Sequence, residues 1–317
     1  MIPMSAINAA LRFGVKRLWS RGVTIGQLRK KAWLADAGLK LVGDKIDVVG
    51  VDARGVPSEW IGEEGAAQRG VLLYLHGGAF SLHLPNSYRQ MASQLALKTG
   101  LRVLLPAYRL APEHRFPAGL DDCVAVYGWL VGQGISPRRM AIAGDSAGGN
   151  LALALLMRLR DEGAPLPTCA AMMSPVTDLT GGSPSVQVNE GSDVLFNRHA
   201  LTLVLSTYLD GASADDPAVS PLFGDWAGLP PLLFHVSGSE MLLDDSLRAA
   251  ERARACGIDA RVKVWPGMPH VFQLIRMLPQ SKQSLDEIGS FIAEYCGPEP
   301  QSATTATAQS IAAPSEE

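Results

Sequence analysis

Seven apolar runs of strand length, most of them separated by one helix length, constrain this chain more than any other feature. They are KIDVVGVDA (45–53), VLLYL (71–75), LRVLLP (101–106), RRMAIAG (138–144), TCAAMMSP (168–175), PLLFHVSG (231–238) and RVKVWP (261–266). Helix-length segments lie at 86–99, 117–132, 148–161 and 242–256. Strands apolar on both faces and separated by helices predict an α/β fold, a mostly parallel sheet covered on both sides. Pro117 suits a first helical turn, and Gly134 and Gly257 suit the exits of the second and fourth helices.

Two stretches break the alternation. Residues 1–45 read as a helical cap segment ahead of the main domain, 46–296, and residues 181–228 add turns and a short helical run near 198–210 to the same cap. Insertions of this kind sit over the carboxyl ends of the strands, where open α/β sheets bind ligands. The tail 297–317 has a single large aliphatic residue and no aromatic, so it reads as disordered.

Charge narrows the partners. The 28 basic and 31 acidic residues give a net charge of −3 without long blocks of either sign, which argues against nucleic acid and strongly acidic partners. Cys123, Cys169, Cys256 and Cys296 are widely spaced and read as buried free thiols of a reducing compartment. The start, MIPMSAINAALRFGVKRLW, lacks the pattern of a secretion signal, and no window reaches the roughly 18 apolar residues of a membrane span. The expectation is a cytoplasmic protein without stable membrane insertion, its amphipathic first helix packed on its own core.

The segment GDSAGGN (144–150) falls between a strand and a helix and matches G-x-S-x-G. In that context the turn holds Ser146 in a strained conformation at a helix N-terminus, exposing its hydroxyl as a nucleophile. A serine needs a base, and the base needs an orienting carboxylate. Of the six histidines, His270 in WPGMPHVF follows the last strand and reaches the same sheet edge, whereas His235 lies inside a strand. After strand 231–237, SGSEMLLDDS offers Glu240, Asp244 and Asp245; Glu240 comes first, and the other two fall within the following helix. The order Ser146, Glu240, His270 is one known for triads on parallel sheets. LHGGAF (75–80) supplies the amides of Gly77 and Gly78, which with Ala147 are the expected oxyanion donors, and His76 reads as a loop-stabilising residue.

HGGAF (76–80), YRLAPEHRFPAGLDD (108–122), GDSAGGN, SEMLLDDS (239–246) and GMPHVF (267–272) together resemble the hormone-sensitive-lipase-like branch, family IV, of bacterial α/β-hydrolase esterases. The resemblance implies an α/β-hydrolase fold with an eight-stranded, mostly parallel sheet and an N-terminal helical cap. It implies Ser146 as nucleophile, His270 as base, Glu240 as acid, and hydrolysis of short- to medium-chain esters without cofactor or metal. It also allows a homodimer. Ala79 stands where many relatives carry a third glycine, Ala107 where Asp often precedes YRLAPE, and Glu240 where Asp is commoner. Apolar Val194, Leu195 and Phe196 are expected to line the pocket for an uncharged small-molecule ester. The same triad would serve a lactone hydrolase, an amidase or a deacetylase, and the same scaffold a non-catalytic small-molecule receptor.

Overall fold

The computed structural model describes residues 3–19, 22–38 and 47–296. Eight strands form one sheet: β1 (Val48–Ala53), β2 (Val56–Ile61), β3 (Val71–Leu75), β4 (Arg102–Pro106), β5 (Met140–Asp145), β6 (Cys169–Met173), β7 (Leu232–Ser237) and β8 (Ala260–Trp265). Their order is β1-β2-β4-β3-β5-β6-β7-β8; β2 is antiparallel to both neighbours, and the pairings from β4 to β8 are parallel. The helices are α1 (Met4–Gly14), α2 (Ile25–Ala37), α3 (Pro85–Thr99), α4 (Ala118–Gly132), α5 (Ala147–Asp161), α6 (Pro184–Val188), α7 (Arg198–Tyr208), α8 (Leu243–Ala255) and α9 (Pro279–Tyr295).

Alternation along each buried strand sends side chains to two separate cores. Val71, Leu73 and Leu75 of β3 join Ile142 and Met172 under α4, α5 and α8. Leu72 and Tyr74 join Val103, Ala141 and Ala143 under Leu95 of α3 and Ile288 and Phe291 of α9. Both faces are therefore apolar, which is why the central strands read as unbroken apolar runs.

Strand β2 is the one that the apolar runs do not reveal. Ala53 pairs with Val56, so β1 and β2 are joined by a two-residue turn in which Arg54 and Gly55 have φ of 61° and 86°. The Asp52 carboxylate accepts the Gly55 N–H at 2.6 Å. Pro57 and Glu59 lie in this strand, and a proline inside a run argues against a strand. Pro117 is the N-cap of α4 rather than part of its first turn.

The N-terminal region is helical as far as it is described, with α1, a tight turn at Lys16–Trp19 and α2; residues 39–46 and the tail 297–317 lie outside the described residues. Cys123, Cys169 and Cys296 are buried free thiols, but Cys256 is exposed. It caps α8 on the outer side of the sheet, past the last apolar position of that helix. Among the described residues, no helix is long and apolar enough to cross a membrane.

The packing of α9 on α3 depends on one missing side chain. A Cβ at Gly289 would lie 2.6 Å from the Lys98 carbonyl oxygen of α3. Gly289→Ala is expected to lower stability by about 1–3 kcal/mol through overpacking. Urea denaturation monitored by circular dichroism checks it, with catalysis of the folded variant left intact.

Candidate active site

The nucleophile candidate sits on a one-residue hinge between β5 and α5. Ser146 has φ 51° and ψ −118°, a conformation costly for any residue with a side chain. Its backbone is held on both sides: the N–H donates to Met173 O at 2.9 Å, and the carbonyl accepts from Asn150 N at 3.2 Å and Val176 N at 3.3 Å. Asn150 reinforces the turn by donating through Nδ2 to Val176 O and Val219 O, at 3.0 and 2.8 Å. The first turn of α5 presses against the end of β3, where a Cβ on Gly148 would come within 2.0 Å of Leu75 O.

That contact brings the loop after β3 beside Ser146. One expected oxyanion donor is already engaged there: the Gly77 N–H donates to Asp145 Oδ1 at 2.9 Å, and Tyr74 Oη donates to the same oxygen at 2.6 Å. Gly77 therefore fastens the loop to the nucleophile strand instead of offering a free amide, which corrects the sequence expectation. Among the described residues nothing accepts from the N–H of Gly78, Ala79 or Ala147. Gly78 and Ala79 both have positive φ, 104° and 54°, and Ala79 and Ala147 line the same cavity as Ser146. Burial raises the Asp145 pKa to about 6 against the hydrogen bonds that favour its charge.

His76 is fully buried, and its ring stacks against Tyr108, Tyr88 and His83 with centroids 4.4, 4.6 and 5.0 Å away. Burial lowers its pKa to about 3, so it stays neutral. Its Nδ1 lies 2.7 Å from Gly77 O, and its carbonyl accepts from Tyr108 Oη at 2.6 Å. These contacts immobilise the loop.

The loops after β7 and β8 meet at Glu240 and His270. Glu240 Oε2 lies 2.5 Å from His270 Nδ1, both side chains being buried, and Glu240 Oε1 accepts the Ser237 N–H at 2.9 Å. Ser237 Oγ donates to Met268 O and so ties the two loops together. On the other side, the N–H of Val271 donates to Ser174 Oγ at 3.4 Å, one residue beyond the Met173 carbonyl that holds Ser146. Burial acts to lower the His270 pKa, but Glu240, with Asp193 and Asp145 beyond it, raises it above the ordinary imidazole value. His270 Nε2 is buried and has no partner among the described residues.

The neighbouring acids hold the chain after β6 and the start of the inserted segment. Asp244 Oδ2 accepts the Ser185 N–H at 2.7 Å. Asp245 accepts from Thr177 N, Asp178 N and Ser183 Oγ at 2.6, 2.9 and 2.6 Å, and burial raises its pKa to about 7. His235 is buried within β7 against Ser284 Oγ at 2.7 Å, and burial lowers its pKa to about 4.

A cavity of about 60 Å³ opens at Ser146, walled by Ala79, Phe80, Val186, Phe196, Leu201 and Met241 among others. Phe196 also stands edge-on to the His270 ring, with centroids 4.9 Å apart. Val194 and Leu195 are not on this wall: Val194 lines a separate cavity behind Glu240 and His270, and Leu195 borders neither. Residues 193–196 form a tight turn, so successive side chains diverge and only Phe196 points at the nucleophile. Three residues with a clear place here escape a search for triad and pocket types: Asp145, Asp193 and Ala79. Asp145 lies within the elbow motif itself, and Asp193 in SDVLF carries an ordinary turn signal.

Residues 72–274 match the sequence profile of the α/β hydrolase fold family. The chain is 40% identical to an esterase of Acinetobacter venetianus over 75% of this chain and 78% of that protein. It is 38% identical to an acetyl-hydrolase of Streptomyces hygroscopicus, over 76% of this chain and 80% of that one. A crystal structure of an esterase from the bacterial hormone-sensitive lipase family superposes with a TM-score of 0.87 at 38% identity, covering 94% of this chain and all of the other. The chain belongs to the α/β-hydrolase family, in its bacterial hormone-sensitive-lipase branch, and is a carboxylic ester hydrolase.

A methyl group at residue 77 would lie 2.2 Å from Asp145 Oδ2. Gly77→Ala is therefore expected to displace the whole loop, costing about 1–3 kcal/mol of stability and about ten-fold or more in kcat. Thermal melts and ester hydrolysis by the folded fraction check both effects.

Proposed function

We propose that this chain hydrolyses short-chain esters through a Ser146–His270–Glu240 triad and an acyl-enzyme. The observation that carries the reading is the buried Glu240–His270 pair at 2.5 Å, set at the strand ends beside a strained serine that opens into an apolar cavity. Glu240 fixes the imidazole with Nδ1 protonated, leaving Nε2 to take a proton.

His270 Nε2 takes the Ser146 hydroxyl proton as Oγ bonds to the ester carbonyl carbon. The carbonyl oxygen becomes an oxyanion facing the amides of Gly78, Ala79 and Ala147. Each such donor is worth about 3 kcal/mol to the transition state in comparable sites. Collapse expels the alcohol, which receives the proton from His270, and water attacks the acyl-enzyme by the same route to release the acid and restore Ser146.

Cavity size favours small acyl groups. At roughly 10–15 Å³ for each water-sized group, a volume of about 60 Å³ takes a few heavy atoms beside Ser146. Its apolar walls suit an uncharged acyl group.

On p-nitrophenyl esters from acetate to palmitate, turnover is expected to peak at the short end, and Ser146→Ala to lose about 10⁴-fold or more in kcat. Equal activity of the alanine variant, or a preference for palmitate, would sink the reading. The base must be neutral to act, so the acidic limb of kcat/KM is expected to rise through a midpoint above 6.5, the ordinary imidazole value that the surrounding carboxylates raise. A pH series in constant ionic strength measures that midpoint.

A further inference from the structure

We propose that Asp193, in the inserted cap segment, is a positioning residue of the triad: it fixes both the wall against the His270 ring and the backbone next to Glu240, and its charge sustains the imidazolium. The proposal rests on the triad reading above.

Asp193 is buried, with only 2% of its surface exposed, and every hydrogen bond of its carboxylate goes to backbone on the catalytic side. Oδ1 accepts the N–H groups of Leu195 and Phe196 at 2.8 and 2.9 Å, closing the turn that aims the Phe196 ring at His270. Oδ2 accepts the N–H of Met241 at 2.9 Å, so it holds the residue directly after the Glu240 acid. One carboxylate thus sets two flanks of the Glu240–His270 pair. Met241 and Phe196 also wall the cavity at Ser146.

The main chain at 193 is fastened in turn to the N-terminal segment. Lys16 Nζ donates to Asp193 O at 2.7 Å and to Glu190 O at 2.5 Å. Behind the pair, a cavity of about 150 Å³ is bordered by Arg12, Asp193, Glu240 and His270. The charged groups facing His270 are therefore Glu240 from the loop after β7, Asp145 from the elbow, and Asp193 with Arg12 across the cavity from the cap, while the cationic Lys16 lies beside Asp193. Asp193 is the anion that the cap itself contributes, and a negative charge near an imidazole favours its protonated form.

The test is Asp193→Asn, which keeps an oxygen for the 195–196 amides but sets an NH₂ against Met241 N–H and removes the charge. Folding is verified by melting, and pH profiles of kcat and kcat/KM on p-nitrophenyl acetate are compared with wild type. The expected result is a fall in kcat of about ten-fold or more together with a shift of the acidic limb to lower pH by at least about half a unit. Unchanged kcat overturns the proposal. A fall in kcat with the limb unmoved overturns it too, because Asp193 is then only scaffold. Should the Asn variant not fold, Asp193→Ser, whose hydroxyl can still accept from the turn amides, is judged by the same two readouts. Ser146→Ala, measured in parallel, separates the failures: if it stays active the triad reading falls and takes this proposal with it, whereas an inactive alanine variant beside a wild-type-like Asp193→Asn sinks the proposal alone.

Discussion

The site is organised by a place where two backbones nearly touch. The first turn of α5 lies so close to the end of β3 that any side chain at residue 148 would collide with Leu75 O. This contact decides where the loop after β3 can be, because residues 76–79 leave β3 at that point beside the N-terminus of α5. Asp145 then fixes the remaining freedom by taking the Gly77 N–H and the Tyr74 hydroxyl on a single oxygen. The proposed nucleophile and donors are thus placed by the sheet register between β3 and β5, where Leu75 pairs with Gly144. They do not depend on a flexible loop finding its position.

Placing carboxylates here costs stability. The Asp145 pKa is raised from 3.8 to about 6, first through burial, so the folded protein binds a proton there more tightly than the unfolded chain. The contribution of this group to stability is therefore full below 3.8 and declines as pH rises through about 6. At neutral pH the ionised group opposes folding, and its hydrogen bonds to Tyr74 and Gly77 only partly offset that. A residue retained against such a cost is better understood through what it positions than through stability. The raised basicity of His270 comes, against burial, chiefly from Glu240, to which Asp193 and Asp145 add, since nearby anions support a cation on the imidazole.

Features that follow from repeating physical patterns were readable from the sequence, and those that depend on one local contact were not. The seven apolar runs marked seven of the eight strands: β3 to β7 because central parallel strands are apolar on both faces, and the edge strands β1 and β8 because they keep valines although they are partly exposed. β2 escaped because Pro57 and Glu59 occupy a strand whose pairing is secured by the Arg54–Gly55 turn rather than by hydrophobic content. Ser146, Glu240 and His270 stood out by their place at strand ends, and the structure sets Glu240 against His270 while Asp244 turns to Ser185 of the inserted segment and Asp245 to the loop after β6 and Ser183. The engagement of the Gly77 amide was not readable, since it depends on a side chain 68 residues away. Nor was the direction of Val194 and Leu195, because a turn sends adjacent side chains to different walls.

The cap is held by apolar and polar contacts together, and the polar ones bear on how the pocket is defined. Val204, Tyr208, Val219, Leu222 and Trp226 of the insertion join the main core, whereas the cluster of Trp19, Ile25, Leu28 and Ala200 lies within the cap itself and meets the body through the half-buried Ala79 and Leu82. Beside these, Arg29 donates to Ser81 O and Ala111 O at 2.7 Å each, and Asp36 accepts the N–H groups of Asn86 and Ser87 at the start of α3, both at 2.9 Å. A carboxylate at a helix N-terminus satisfies donors that the helix itself leaves free. Hydrogen bonds are directional where apolar contacts are not, so these anchors help to set the register of the N-terminal helices over the strand ends. Trp19, held in this way, packs on Phe196 at 5.5 Å, and Phe196 on His270. The outer wall of the cavity at Ser146 therefore also depends on polar contacts remote from it, and changes at Arg29 or Asp36 would reach that cavity through the placement of an aromatic ring rather than through the proposed triad.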